Sequence, residues 1–169
     1  KAGTILKTVS VSGLINGFID LGNGNDTFNG GGYGERVKDG NGGDIYRLGA
    51  GDDRYIATGA AANLDSYDLI DGGAGLVDSY DASAALSGGI IINLDTIAHA
   101  ETGTGIGTAA SVANRSYGTD VAGQPPSNVT APYDTVTNFE RVSGTQFADI
   151  IFGSGLANEL AGKAGDDHL

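Results

Sequence analysis

The sequence contains no cysteine, methionine or tryptophan and only three prolines. Without cysteine there can be no disulfide framework and no thiolate metal site. No apolar run approaches the roughly 20 residues that a membrane-spanning helix needs, so we expect no membrane insertion. No segment has the charged start and apolar centre of a signal peptide. The chain must therefore be stabilised without disulfides.

Basic residues are also scarce, since nine Lys and Arg stand against 21 Asp and Glu, for a formal net charge of −12. Such a chain cannot neutralise a run of phosphates, which excludes nucleic acid as a partner. The same balance disfavours anionic membrane surfaces. Many of the acids fall at regular positions, and this regularity favours a cationic partner.

Glycine is abundant, and glycines and acids recur every nine residues. The 30 glycines are about two to three times the average usage. Each acid of the array has a glycine four positions before it and a large apolar side chain two positions after it. The acids are Asp26, Glu35, Asp44 and Asp53, and the apolar residues are Phe28, Val37, Tyr46 and Tyr55. A short fixed period of this kind predicts a solenoid.

One nine-residue unit can supply a glycine-rich loop and a three-residue strand, which is half of a coil. Two units then close a coil of eighteen residues, and acids eighteen apart stack on the same edge, with Asp26 over Asp44 and Glu35 over Asp53. The apolar residue of each strand points inward under period-two alternation. The predicted fold is all-β, a parallel β-roll or right-handed parallel β-helix with an irregular central excursion.

The period divides the chain into four parts. Residues 1–20 keep part of the register and predict a capping coil, and residues 21–81 form the main array, with an extra bulge near 59–62 and a one-residue delay at Asp78. Residues 82–133 predict a buried strand at 90–94 and a long excursion, and residues 134–169 a second block. Because the chain begins at Lys1 and Leu169 falls on an apolar repeat position, we expect a piece of a longer protein.

The loops combine backbone carbonyls with one carboxylate per unit, because glycine allows a tight turn with positive φ. Stacked strands lie about 4.8 Å apart, so bare carboxylates on one edge repel each other. A calcium ion between two carboxylates removes this repulsion, since calcium takes six to eight oxygen ligands in flexible geometry. Magnesium demands a stricter octahedron. Zinc would require His or Cys ligands, and the two histidines do not cluster.

The predicted calcium ligands are the loop glycines and the acids, with Asp26 and Asp44 forming the strongest pair. The pair of Glu35 and Asp53 is weaker because Tyr33 replaces a loop glycine. The full set is Gly22, Gly24, Asp26, Gly31, Glu35, Gly40, Gly42, Asp44, Gly49, Gly51, Asp53, Asp68, Gly73, Gly75, Asp78, Asp149, Asn158, Gly165 and Asp167.

The units at 21–29, 39–47, 48–56 and 162–169 resemble the repeats-in-toxin (RTX) family, whose repeat is G-G-x-G-x-D-x-(large apolar)-x. The unit at 30–38 matches less well, and 137–149 is similar to the lead-in that often precedes a new RTX block. The resemblance covers roughly half of the chain. It implies a parallel β-roll, calcium-dependent folding, and type I secretion from a Gram-negative bacterium to the extracellular space or cell surface.

The leading hypothesis is a calcium-binding structural module of a secreted or cell-surface protein that folds on extracellular calcium. The alternative is an adhesion or surface-layer assembly module that binds neighbouring subunits or polysaccharide, prompted by the excursion and by the tyrosines. We do not expect an enzyme, because no Ser/His/acid set and no zinc motif is present. The parent protein can still carry an enzyme domain elsewhere.

Overall fold

The nine-residue units form short strands joined by glycine-rich turns. The computed structural model describes residues 6–58, 67–84, 88–97, 99–101, 109–111, 115–118 and 134–169. Within these ranges the fold is all-β and of the parallel-solenoid type. They contain no helix long and apolar enough to cross a membrane. The bulge that we predicted near 59–62 lies outside the described residues.

The described residues hold sixteen strands, most of them three residues long, as expected for one strand per unit. In chain order they are β1 (Thr8–Ser10), β2 (Ile19–Asp20), β3 (Thr27–Asn29), β4 (Arg36–Lys38), β5 (Ile45–Arg47), β6 (Arg54–Ile56), β7 (Leu69–Asp71), β8 (Ser79–Asp81), β9 (Ile90–Asn93), β10 (His99–Glu101), β11 (Ala109–Ser111), β12 (Arg115–Gly118), β13 (Asp134–Thr137), β14 (Arg141–Ser143), β15 (Ile150–Phe152) and β16 (Glu159–Ala161).

Two sheets carry the solenoid, and successive strands of the main array alternate between them. The six-stranded sheet is parallel throughout, in the order β16-β14-β8-β6-β4-β2. The eight-stranded sheet has the order β1-β3-β5-β7-β13-β12-β9-β15, with β12 antiparallel to both of its neighbours. Strands β10 and β11 form a separate antiparallel pair. Two units therefore make one coil, as the period predicts.

The core lies between the two sheets and takes the central residue of each strand from β3 to β8. Period-two alternation turns that residue inward and leaves its neighbours on the outside. The rings of Tyr46 and Tyr55, from opposite sheets, meet edge to face with centroids 5.1 Å apart. Tyr55 continues to Tyr80, on the next coil, at 5.4 Å. Tyrosine at these repeat positions is therefore part of the core.

The central excursion does not end the solenoid. Strand β13 pairs with β7 through Ile70 and Val136, and β14 pairs with β8 through Tyr80 and Val142. The predicted strand at 90–94 is β9, and all of its residues are buried. Strands β9 and β12 lie between β13 and β15 in one sheet, whereas β14 and β16 are adjacent in the other. Much of the predicted excursion, including residues 119–133, lies outside the described residues.

The one-residue delay before Asp78 does not change which side chains face inward. Tyr55 and Tyr80 remain register partners, so the extra residue is absorbed in the turn between the strands. Leu76, in that turn, is 85% exposed. A loop can hold an additional residue outside the ladder, whereas a slip within the strand would turn every side chain to the other face.

Candidate metal centre

Four acids and one lysine stack along one edge of the solenoid, and we call them the first column: Lys7, Asp26, Asp44, Asp68 and Asp134. Each carboxylate accepts the backbone N–H of the member on the preceding coil. The N···Oδ1 distances are 2.8 Å from Lys7 to Asp26, 2.6 Å for the next two steps and 3.0 Å from Asp68 to Asp134. The predicted stacking of Asp26 on Asp44 is confirmed.

The opposite edge carries the second column, which consists of Glu35, Asp53, Asp78 and Glu140. The amide of Glu35 donates to Asp53 Oδ1 at 2.6 Å, and the amide of Asp53 donates to Asp78 Oδ1 at 2.8 Å. Glu140 Oε2 accepts the amide of Asp78 at 2.8 Å. The predicted stacking of Glu35 on Asp53 is confirmed, and these two carboxylates and Asp78 are each only 1% exposed.

A third pair lies in the second block. The amide of Asp149 donates to Asp167 Oδ1 at 3.0 Å, and Asp149 Oδ1 accepts the amide of Ile90 at 2.7 Å. The structure thus brings together Asp149 and Asp167 across eighteen residues. Asn158 is placed differently, because its Oδ1 accepts the amide of Ser154 at 2.6 Å within its own loop.

The predicted loop glycines stack as the acids do, because consecutive loops are in contact. A Cβ added at Gly42 would collide with the carbonyl oxygen of Gly24, and φ at Gly42 is +131°. Such close approach with positive φ admits only glycine. The other stacked pairs are Gly22 with Gly40, Gly31 with Gly49, Gly49 with Gly73, and Gly51 with Gly75, whereas Gly165 lies against the backbone of Phe147 and Ala148.

The pair of Asp26 and Asp44 differs from the pair of Glu35 and Asp53 in what remains for a ligand. In the first column, Asp26 Oδ2 pairs with the ammonium of Lys7 at 3.2 Å, and Asp44 Oδ2 accepts the hydroxyl of Tyr46 at 2.9 Å. In the second column, both side-chain oxygens of Glu35 and Oδ2 of Asp53 are buried with no hydrogen-bond donor, and so is Oδ2 of Asp78.

The sequence predicts the stronger calcium site at Asp26 and Asp44, whereas the buried oxygens without donors favour the site at Glu35 and Asp53. The sequence favoured Asp26 with Asp44 because its loops have the better glycine pattern, but Glu35 and Asp53 hold the oxygens without donors. A Cβ added at Gly75 would lie 2.7 Å from both carboxylate oxygens of Asp78. Glycine at this position therefore keeps the space beside that carboxylate open.

Burial and mutual repulsion raise the pKa values of these carboxyl groups. Burial raises the pKa of Asp78 to about 6, with the charge of Glu140 adding to the effect and the amide of Asp53 opposing it. The pKa of Asp53 is raised by burial and then by Glu35 and Asp78. Burial also raises the pKa of Asp44, where the amide of Asp26 opposes it. In each of these groups, burial disfavours the charged carboxylate more than its hydrogen bonds favour it.

The acids form lines along the coils. Among the described residues, no group of three or more His, Cys, Asp or Glu side chains gathers around a point to hold a metal ion. Adjacent carboxylates of one column are one strand spacing apart, about 4.8 Å. A cation in a column would therefore bind two carboxylates of neighbouring coils and complete its shell with backbone carbonyls.

Four residues at these edges were not among our predicted ligands. Asp134 and Glu140 extend the two columns, and each stands two positions before a buried apolar residue, Val136 or Val142. That spacing is the signal that could have found them, but no glycine loop precedes either. Lys7 heads the first column as a cation. Asp39 is buried, and burial raises its pKa.

Comparison with models of known protein families gives no match, and comparison with curated proteins gives none either. The function has to be argued from the site.

Proposed function

We propose that this chain is a calcium-binding structural module of a secreted or cell-surface protein. Its solenoid is a β-roll of the RTX type that folds when calcium occupies the acidic columns. The observation that carries the proposal is the set of buried carboxylate oxygens without donors on Glu35, Asp53 and Asp78. Buried carboxylates are paired or bind metals, because an isolated buried charge is very costly.

Calcium fits these oxygens better than the other common cations. The atoms available as metal ligands are carboxylate and carbonyl oxygens, which calcium binds at about 2.3–2.6 Å in a flexible shell. Magnesium needs a smaller and stricter octahedron and keeps several of its waters. The loops adjust poorly to such a shell because their glycines are packed against the backbone of the next coil.

Metal binding would be coupled to folding. Without a cation, the second column keeps buried carboxylates next to one another, and their repulsion opposes the stacking of the coils. A ligand that binds only the folded state stabilises it by about 1.4 kcal/mol per site at ten times its dissociation constant. Several sites with the affinity of extracellular modules would switch folding on in millimolar calcium and leave the chain loose where calcium is low.

Circular dichroism and urea unfolding in three solutions test the proposal: excess chelator, millimolar calcium, and magnesium at the same concentration. We expect the β-sheet signal and the cooperative transition in calcium, their loss in chelator, and a weaker recovery in magnesium. A chain that is fully folded in excess chelator, with the same urea midpoint as in calcium, would contradict the proposal.

A further inference from the structure

Lys7 occupies the register position of a column acid. Its carbonyl oxygen accepts the amide of Thr27 at 2.8 Å, and one coil later the carbonyl of Asp26 accepts the amide of Ile45 at 2.9 Å. Its own amide donates to Asp26 Oδ1, just as the amide of Asp26 donates to Asp44 Oδ1. The backbone of the first column thus continues without change to Lys7, and only the charge of the side chain is reversed.

The ammonium of Lys7 contacts the kinds of oxygen that a calcium ion would take. It lies 3.2 Å from Asp26 Oδ2 and donates to the carbonyl oxygen of Leu21. The Asp26 side chain is fully buried, whereas the Lys7 side chain is 40% exposed, so the lysine reaches from the surface to the carboxylate. A flexible lysine stem with a compact charge suits this task.

Within the part of the chain that the structure describes, the second column has no such residue. Gly17 stands eighteen positions before Glu35, where the spacing would place the preceding member, and it has no side chain to offer. Both carboxylate oxygens of Glu35 are buried without a donor. Asp26 therefore has a cation from the chain itself, and Glu35 has none among the described residues.

We propose that the Lys7 ammonium is a built-in cation that fills the cation position beside Asp26, at the first described coil of the first column, in place of calcium. This inference rests on the proposed function. It places calcium in that column beyond Asp26 and leaves the second column to be neutralised by metal from Glu35 onward. At this position the first column is neutralised by a side chain and does not depend on the metal.

The test compares three variants of the chain in saturating calcium. Lys7→Met removes the charge and keeps most of the length. Lys38→Met is the matched control, since Lys38 pairs with Asp20 at 3.0 Å across neighbouring coils but outside both columns, with both side chains almost half exposed. Lys7→Asp places a carboxylate at the head of the first column, where the register already positions an acid.

We expect Lys7→Met to lower the folding equilibrium constant in calcium at least tenfold, and Lys38→Met to lower it less than threefold, because exposed pairs contribute little. We expect Lys7→Asp to bind one more calcium per chain than the wild type, measured by equilibrium dialysis with radioactive calcium. Where Lys7→Asp does not fold, the comparison of the two methionine variants decides.

Equal effects of Lys7→Met and Lys38→Met would overturn the inference. A calcium-binding wild type whose folded Lys7→Asp variant gains no ion would overturn the inference alone. A wild-type chain that binds no calcium would overturn the proposed function and this inference with it.

Discussion

The backbone amide of Asp26 donates a 2.6 Å hydrogen bond to Oδ1 of Asp44, eighteen residues later in the chain. A side chain of one coil is thereby joined to the main chain of the coil before it. The same bond recurs along both edges, so Asp44, Asp53, Asp68 and Asp78 each have one oxygen engaged by the backbone of the preceding coil.

The charge of Asp53 is expected to oppose folding without calcium and to support it with calcium. In Asp53→Asn the amide oxygen can still accept the N–H of Glu35, while the negative charge is lost. We expect a higher urea midpoint than wild type in chelator, a lower one in calcium, and a calcium affinity reduced about 10- to 100-fold.

Asp20→Asn is the control for this comparison, because Asp20 pairs with Lys38 on the exposed face of a strand. It should change the urea midpoint little in either solution. A loss of stability in Asp53→Asn that is the same with and without calcium would show that its charge does not take part in metal binding.

The stacking of the loops depends on glycine at Gly42. Alanine there would place a Cβ against the carbonyl oxygen of Gly24 and hold a positive φ of +131°. We expect Gly42→Ala to lower the free energy of unfolding in calcium by about 2 kcal/mol or more.

Gly32→Ala is the matched control in a neighbouring loop. Nothing lies within 4 Å of a Cβ added at Gly32, and its φ is outside the left-handed region. This variant should fall within about 0.5 kcal/mol of wild type in urea unfolding. An equal loss in the free energy of unfolding for Gly42→Ala and Gly32→Ala would contradict the close approach of the loops.

The hydroxyl of Tyr46 connects the core to the first column. It donates to Asp44 Oδ2 at 2.9 Å and accepts the amide of Gly40 at 3.2 Å, within a fully buried side chain. We expect Tyr46→Phe to lower the free energy of unfolding by about 1–3 kcal/mol, because both partners stay buried. Tyr33→Phe, at a side chain that is 52% exposed, should have almost no effect in the same urea titration. An unchanged free energy of unfolding in Tyr46→Phe would contradict a stabilising role for these hydrogen bonds.

Asp81 should make the protein less stable in acid. Burial raises its pKa, but Ser83 and the guanidinium of Arg54 outweigh burial, so that its pKa lies below the usual value. A folded pKa below the unfolded value of about 3.9 gives stability that is present above that pH and lost as the pH falls through the folded pKa. Arg54→Met should reduce this loss.

The measurement is the free energy of unfolding of wild type and variant between neutral pH and the acid limit of stability. The difference between them should shrink as Asp81 is protonated. Arg36 is the register partner of Arg54 on β4, so Arg36→Met serves as the control and should differ from wild type by the same amount at every pH. A constant difference for Arg54→Met would contradict the role of this pair.

The spacing of the sequence was sufficient to predict the alternating sheets and the stacking of acids eighteen residues apart, because a coil of two units is a local property of the chain. Stacked acids that are more than eighteen residues apart in the sequence could not be predicted in this way. Asp78 stacks on Asp53 after 25 residues, and Asp134 on Asp68 after 66, because strands β7, β8, β13 and β14 take their places in the two sheets after stretches of sequence that interrupt the period. Glu140 was missed since no glycine loop marks its place in the second column.

The sequence by itself determined the period, and with it the coil, the inward apolar residues and the two edges on which the acids lie. Only the tertiary structure decided which acids have an oxygen without a donor. Tyr46 from the core and Lys7 from the preceding coil bind the second oxygens of Asp44 and Asp26, while no described residue donates to either oxygen of Glu35 or to Oδ2 of Asp53. The physical reason is that a carboxylate's partner comes from a neighbouring coil or the facing sheet, which a repeat of nine residues does not specify.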